Sequence, residues 1–177
     1  VSTDDEARPA ARLTVLTAPS GAGVGSVVEL FRARSPSVWT PVPATTRPRR
    51  AGEVDGVDRI FLSPARFDRL IAAGQLLEWA RVGPHLRGTP ARPVADRLAA
   101  GTPVLLPLDL PGALALRAGC PEARLVLLAP PNWRPDPAVA AATAHVVPHD
   151  RTGRAVDELV GLFGSSFLAP AQPRLNG

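Results

Sequence analysis

Three arginines fall within four residues, at Arg47, Arg49 and Arg50, on a stretch that Pro48, Gly52 and Gly56 bend into a surface loop. Proline fixes φ and glycine tolerates positive φ, so both hold a chain in a tight excursion. A guanidinium is charged at any working pH and presents a planar fork of donors that meets a phosphate or carboxylate two bonds at a time. The stretch reads as an anion site; the alternative reading is a solvated basic loop. A second candidate lies upstream. Residues 18–26 (Ala-Pro-Ser-Gly-Ala-Gly-Val-Gly-Ser) make a glycine-rich turn between an apolar strand and a helix. That layout aims backbone N–H groups and a helix N-terminus at an anion. A dinucleotide fingerprint is disfavoured. The third glycine of Gly21-x-Gly23-x-Gly25 is out of register, and no acidic residue ends a second strand about 20 residues on.

These groups must be positioned by the elements around them. An apolar strand is expected at 13–17 and a helix from 27. A strand at 37–42 leads into the arginine loop and another at 59–62 leaves it. Ser63 and Pro64 start a helix that Gly74 stops, with Phe67, Leu70 and Ile71 as its apolar stripe. A strand at 76–82 carries Glu78 and Trp79, and Thr89-Pro90 starts a helix that ends at Gly101. Strand 104–109 contains Pro107, which removes one ladder donor. A helix at 111–118 closes at Gly119; strands at 124–129 and 145–147 and an amphipathic helix at 151–163 complete the order. Alternating strands and helices around an excursion of strands predict an α/β fold, a parallel sheet core with an inserted β-rich lobe. Residues 1–11 and 169–177 read as tails, 12–38 and 93–168 as the core, and 39–92 as the lobe.

Composition narrows the functional classes. All 20 Lys+Arg residues are arginine, against 16 Asp+Glu, giving a net charge of +4 and a pI of about 11.0. No step that needs a lysine side chain can occur here. General nucleic-acid binding would call for a larger positive excess with aromatics interleaved, and the chain has no tyrosine. There is no apolar run of about 18 residues and no signal-peptide pattern at the polar start, so neither a membrane span nor secretion is expected. A single Cys120 excludes an internal disulfide and is consistent with the cytoplasm.

The run Thr45-Thr46-Arg47-Pro48-Arg49-Arg50-Ala51-Gly52-Glu53-Val54-Asp55-Gly56 resembles the nucleoside-monophosphate loop of guanylate kinases. Leu76-Leu77-Glu78-Trp79-Ala80, Gly88-Thr89-Pro90, Leu108-Asp109-Leu110 with Gly112, and Leu128-Ala129-Pro130-Pro131 follow in that family's order. The resemblance implies a P-loop fold with a parallel sheet core flanked by helices and a monophosphate-binding lobe. It implies phosphate contacts from Arg47 and Arg50, a guanine-reading carboxylate at Glu78, a hydroxyl at Thr89 and an acidic residue near the metal at Asp109. Departures accompany these matches. Pro43 stands for a serine, Arg59 and Arg87 for two phosphate-binding tyrosines, and Pro107 for an aspartate. In the glycine turn, Gly21 and Gly23 are followed by Val24, Gly25 and Ser26, where a P-loop ends in Gly-Lys-Ser/Thr. Only residues 132–144 stand where the family inserts a helical lid, so the lid is expected to be missing.

If the fold is right, Arg47, Arg50, Arg59 and Arg87 converge on one pocket, with Glu53, Asp55, Asp58 and Glu78 to offset their repulsion. A charge-stabilising arginine is worth about 10³–10⁵ in phosphoryl transfer and a preorganised donor about 10²–10³. Losing lysine, metal hydroxyl and lid together therefore predicts a chain without kinase turnover. On that expectation it binds a phosphorylated small molecule or a phosphoprotein through its arginines, without cofactor or resident metal. Two alternatives stand beside it. One is a repurposed enzyme acting on an acidic small molecule, with Asp109, Glu78, His85 or His149 as catalytic candidates. The other is a weak residual GMP kinase.

Overall fold

The computed structural model describes residues 13–164, so both expected tails lie outside the described residues. Its first strand, β1 (Leu13–Thr17), is buried along its whole length and sits inside a four-stranded parallel sheet. The order is β6 (Val104–Pro107), β1, β7 (Arg124–Ala129), β8 (Thr143–Pro148). Side chains alternate across a strand, and here the alternation feeds two cores. Leu16, Leu105, Val126 and Leu128 pack with Phe31 of α1 (Val24–Arg34) and with Val156 and Leu159 of α6 (Thr152–Phe163). Leu13, Val15, Leu106 and Leu125 face the other way. They meet Val94 of α3 (Ala91–Ala99) and Leu116 of α4 (Leu110–Gly119). Burial of apolar side chains on both faces is what holds a parallel sheet of this kind. Pro107 is accommodated because β6 is an edge strand and the proline is its last residue.

A second sheet forms the lobe, in the order β3 (Ile60–Phe61), β2 (Ala44–Thr45), β5 (His85–Pro90), β4 (Leu76–Val82). Its small core is Phe67, Ala44 and Leu86. Phe67 comes from α2 (Pro64–Ala72), which the Ser63 hydroxyl caps through the Arg66 N–H.

Three expectations are corrected. Residues 37–42 are not a strand: Pro41 and Pro43 have no N–H to give a ladder, and only Trp39 bridges to Val104. The expected passage from strand 76–82 to helix lacks β5, whose Gly88 and Pro90 disguise it in the sequence. Helix α1 begins at Val24 rather than 27, because Gly23 in the left-handed conformation (φ 76°) turns the chain directly into it. Between β7 and β8 the only helix is α5 (Pro137–Ala142), six residues long and capped by Asp136.

Candidate functional site

A cleft of about 890 Å³ opens between the two sheets. One wall is the glycine turn, Ala18–Gly25, with the first turns of α1. The other is the lobe, from Thr45 to Arg59 and from Val82 to Arg87, and Pro107–Asp109 close the floor. Five arginines (Arg32, Arg47, Arg50, Arg59 and Arg87) and three carboxylates (Glu29, Glu53 and Asp109) line it. Gly21 and Gly23 both have positive φ, and the N-terminus of α1, with its N–H groups free of helical partners, lies at the cleft.

The arginine loop is held by its own neighbours. Thr45 Oγ1 donates to the Leu86 carbonyl at 3.0 Å and accepts the Arg47 N–H at 3.2 Å. Thr46 Oγ1 accepts the Leu86 N–H at 2.9 Å. Both threonines thus pin the loop to β5. The Glu53 carboxylate accepts two bonds from the Arg47 guanidinium, at 2.6 and 3.0 Å, and a third from the Arg50 N–H at 2.8 Å. Those bonds, the Arg47 pair foremost, hold the Glu53 carboxyl down at about 2. Arg59 reaches the same carboxylate only at 3.9 Å. Burial, then the nearby charges of Arg87 and Arg47, push the Arg59 guanidinium below its ordinary value. The Arg87 Nε is buried without a hydrogen-bond partner among the described residues.

The four expected arginines therefore share one cleft, with Glu53 bonded to the Arg47 guanidinium and the Arg50 N–H. Asp55 and Asp58 serve otherwise: they accept the Phe61 and Val54 N–H groups and build the loop. Glu78 and Thr89 do not line the cleft. They sit opposite each other on β4 and β5, and the buried Thr89 hydroxyl donates to Glu78 Oε1 at 2.6 Å. Burial raises the Glu78 pKa, against the Thr89 bond and the Arg87 charge. Asp109 lines the floor and also caps α4 by accepting the Gly112 N–H at 3.0 Å. Val24 and Gly25 line the cleft, Val24 also packing on the core, whereas Ser26 is exposed and outside it. His85 is part of the wall; His149 is not, although its ring lies beside the glycine turn, close to Gly23. Glu29 and Arg32 were missed by sequence reasoning. The signal was helical spacing: Gly25, Val28, Glu29 and Arg32 recur on one face of α1.

Residues 10–136 match the family model for guanylate kinase. The chain is 56% identical over 122 residues to a guanylate kinase of Thermobifida fusca, covering 69% of this chain and 62% of that one. It is 53% identical over 128 residues to that of Streptomyces coelicolor, covering 72% and 64%. For that of Nocardia farcinica it is 53% over 135 residues, covering 75% and 69%. A crystal structure of guanylate kinase from Anaplasma phagocytophilum superposes with a TM-score of 0.72 over 92% of this chain and 89% of that one. At 20% identity this is a likeness of fold. The chain thus spans just under two thirds of the first two curated relatives. Their names at 53–56% identity overturn the expectation of a scaffold without kinase turnover. That expectation counted the missing lysine, metal hydroxyl and lid against four converging arginines; the cleft holds five. By family model, relatives and fold together, the chain belongs to the guanylate kinase family.

Proposed function

We propose that the chain catalyses phosphoryl transfer from ATP to GMP. The observation that carries this reading is the single cleft that sets the glycine turn and the α1 N-terminus across from Arg47 and Arg50. In-line transfer between two nucleotides needs two anion-holding walls facing each other. Its volume of about 890 Å³ falls within the range of small-molecule sites, about 300–1,000 Å³. On this reading Arg47 and Arg50 grip the GMP phosphate, and backbone N–H groups of the turn cradle the donor's phosphates. The nucleotide brings its magnesium as part of the substrate. The cytoplasm, where Cys120 stays reduced, is the compartment this reading assigns.

Coupled measurement of ADP release with ATP and GMP tests the proposal. GMP-dependent turnover is expected, with a raised KM for GMP in Arg50→Ala. ADP release that is the same with and without GMP refutes it.

A further inference from the structure

The two walls of the cleft are charged unequally: on one, α1 brings Glu29 and Arg32, whose formal charges cancel. The turn from Ala18 to Gly25 contributes no cationic side chain, and the chain has no lysine that could reach it. The lobe wall contributes Arg47, Arg50, Arg59 and Arg87. These four are not equally available. The Arg47 guanidinium is engaged twice by Glu53 and once by the Pro48 carbonyl. Arg59 has only the long contact to that same carboxylate, and Arg87 carries a buried Nε with no partner among the described residues. A buried donor without a partner is costly, and a guanidinium cannot relieve the cost by losing its proton.

From this we infer that Arg59 and Arg87 hold the charge of the phosphoryl group during transfer, the task that a P-loop lysine performs from the opposite wall. The inference rests on the reading of the chain as a GMP kinase. A phosphomonoester carries close to two negative charges at neutral pH. Together with Glu53 and with Asp109 on the floor it offsets the four lobe guanidiniums in number, but the hydrogen-bond donors of Arg59 and Arg87 stay unengaged by either carboxylate and face the space a second phosphoryl group enters. In the transfer, a GMP phosphate oxygen forms a bond to the γ-phosphorus. The bond from that phosphorus to the β–γ bridging oxygen breaks, and its electron pair stays on ADP. Dianionic GMP and tetra-anionic ATP become two trianionic diphosphates, so no proton moves. What the step requires is positive charge beside the equatorial oxygens, and the lobe is the wall with guanidiniums to spare.

The test is steady-state kinetics on Arg87→Gln and Arg59→Gln, with thermal melts to establish folding; Arg59, with a side chain 36% exposed, remains testable if the Arg87 variant unfolds. The expected result is a kcat lowered about 10²–10³-fold, the scale of one preorganised donor, with the KM for GMP nearly unchanged. Val24→Lys added to either variant is expected to recover at least about tenfold of the lost kcat, and to add less to the unsubstituted protein. A raised KM with unchanged kcat makes these arginines simple GMP ligands and overturns the inference while leaving GMP kinase activity standing. Unchanged kinetics overturn it too, as does a lysine that restores nothing. No GMP-dependent turnover in the unsubstituted protein removes the activity and the inference together.

Discussion

Gly88 is the residue on which the lobe's geometry is most exposed to a single methyl group. It lies in β5 between Ala44 of β2 and Trp79 of β4. A Cβ there would stand 2.8 Å from the Glu78 carbonyl oxygen, 2.9 Å from Trp79 Cβ and 3.2 Å from Leu76 Cδ1. The first two neighbours are fixed to the backbone and cannot rotate away, so the strands must part. Of its flanking residues, Arg87 lines the cleft and Thr89 bonds Glu78 beside it. Gly88→Ala is therefore expected to destabilise the protein by about 3 kcal/mol, the upper end of overpacking costs. The gain from a stiffer unfolded chain, about 0.4–1 kcal/mol, is too small to offset that. At about 2–4 °C per kcal/mol for a chain of this size, the melting temperature should fall by about 6–12 °C. Urea denaturation should show a lower midpoint with an unchanged slope. Gly161→Ala in α6 is the control, since nothing lies within 4 Å of its added Cβ. It should raise stability by up to about 1 kcal/mol. A Gly88→Ala protein that melts with the unsubstituted one would refute the packing argument.

Other expectations follow from the same contacts. The Glu53 carboxyl titrates at about 2 in the fold against an ordinary value of 4.5. Its bridge to Arg47 therefore stabilises the loop above pH 4.5 and is lost as the pH falls from there through about 2; carbon NMR of the Glu53 carboxyl reads the midpoint, and one near 4.5 would contradict the bridge. Thr89→Val removes the hydroxyl that holds the Glu78 pKa down against burial, so that pKa should rise further. Because a raised carboxyl pKa takes stability away as the pH rises through it, the loss, about 1–2 kcal/mol, should be larger at pH 7 than at pH 4. Equal melting losses at both values would count against this. Asp109→Ala should cost about 1 kcal/mol through the α4 cap while Asp109→Asn, an equally good cap, costs only a few tenths. Urea midpoints separate the two, and equal losses would show that Asp109 acts by charge.

Where burial alone shapes an element, the sequence displays it plainly. Strand β7 lies where its apolar run places it, as does β1 between two cores, and Ser63-Pro64 starts α2 as cap and first-turn residues should. The failures arise where a partner decides. Strand β5 exists because β2 and β4 flank it, and its own residues, with glycine and proline near its end, give little strand signal. Residues 37–42 have the composition of a strand, but only Trp39 among them pairs with a neighbouring strand. The same distinction runs through the site. The gathering of Arg47, Arg50, Arg59 and Arg87 was legible from the resemblance, whereas the division of the acids was not. Whether Glu53 or Asp55 reaches a guanidinium depends on loop curvature set by Gly52 and Gly56, both at positive φ. The lost-activity expectation failed for a related reason. It counted the lysine, metal hydroxyl and lid that are missing, although charge in a cleft acts on the enclosed space from every wall.

That last point also bears on why the cations are arginines. A lysine half-buried among like charges loses its proton readily, and the repulsion disappears together with the charge. Arg59 is pushed downward by burial and by Arg87 and Arg47, yet a guanidinium starts so far above neutrality that it remains a cation throughout the working range. The cluster cannot relax by deprotonation. Its repulsion can be relieved only by an anion: Glu53 from within the loop, bonded to Arg47 and within reach of Arg59, and a phosphate from outside. Positive charge that cannot be discharged, set opposite a turn of backbone N–H groups, favours whatever brings the most negative charge into the space between them. On the function proposed above, that is the pair of nucleotides whose phosphates meet there.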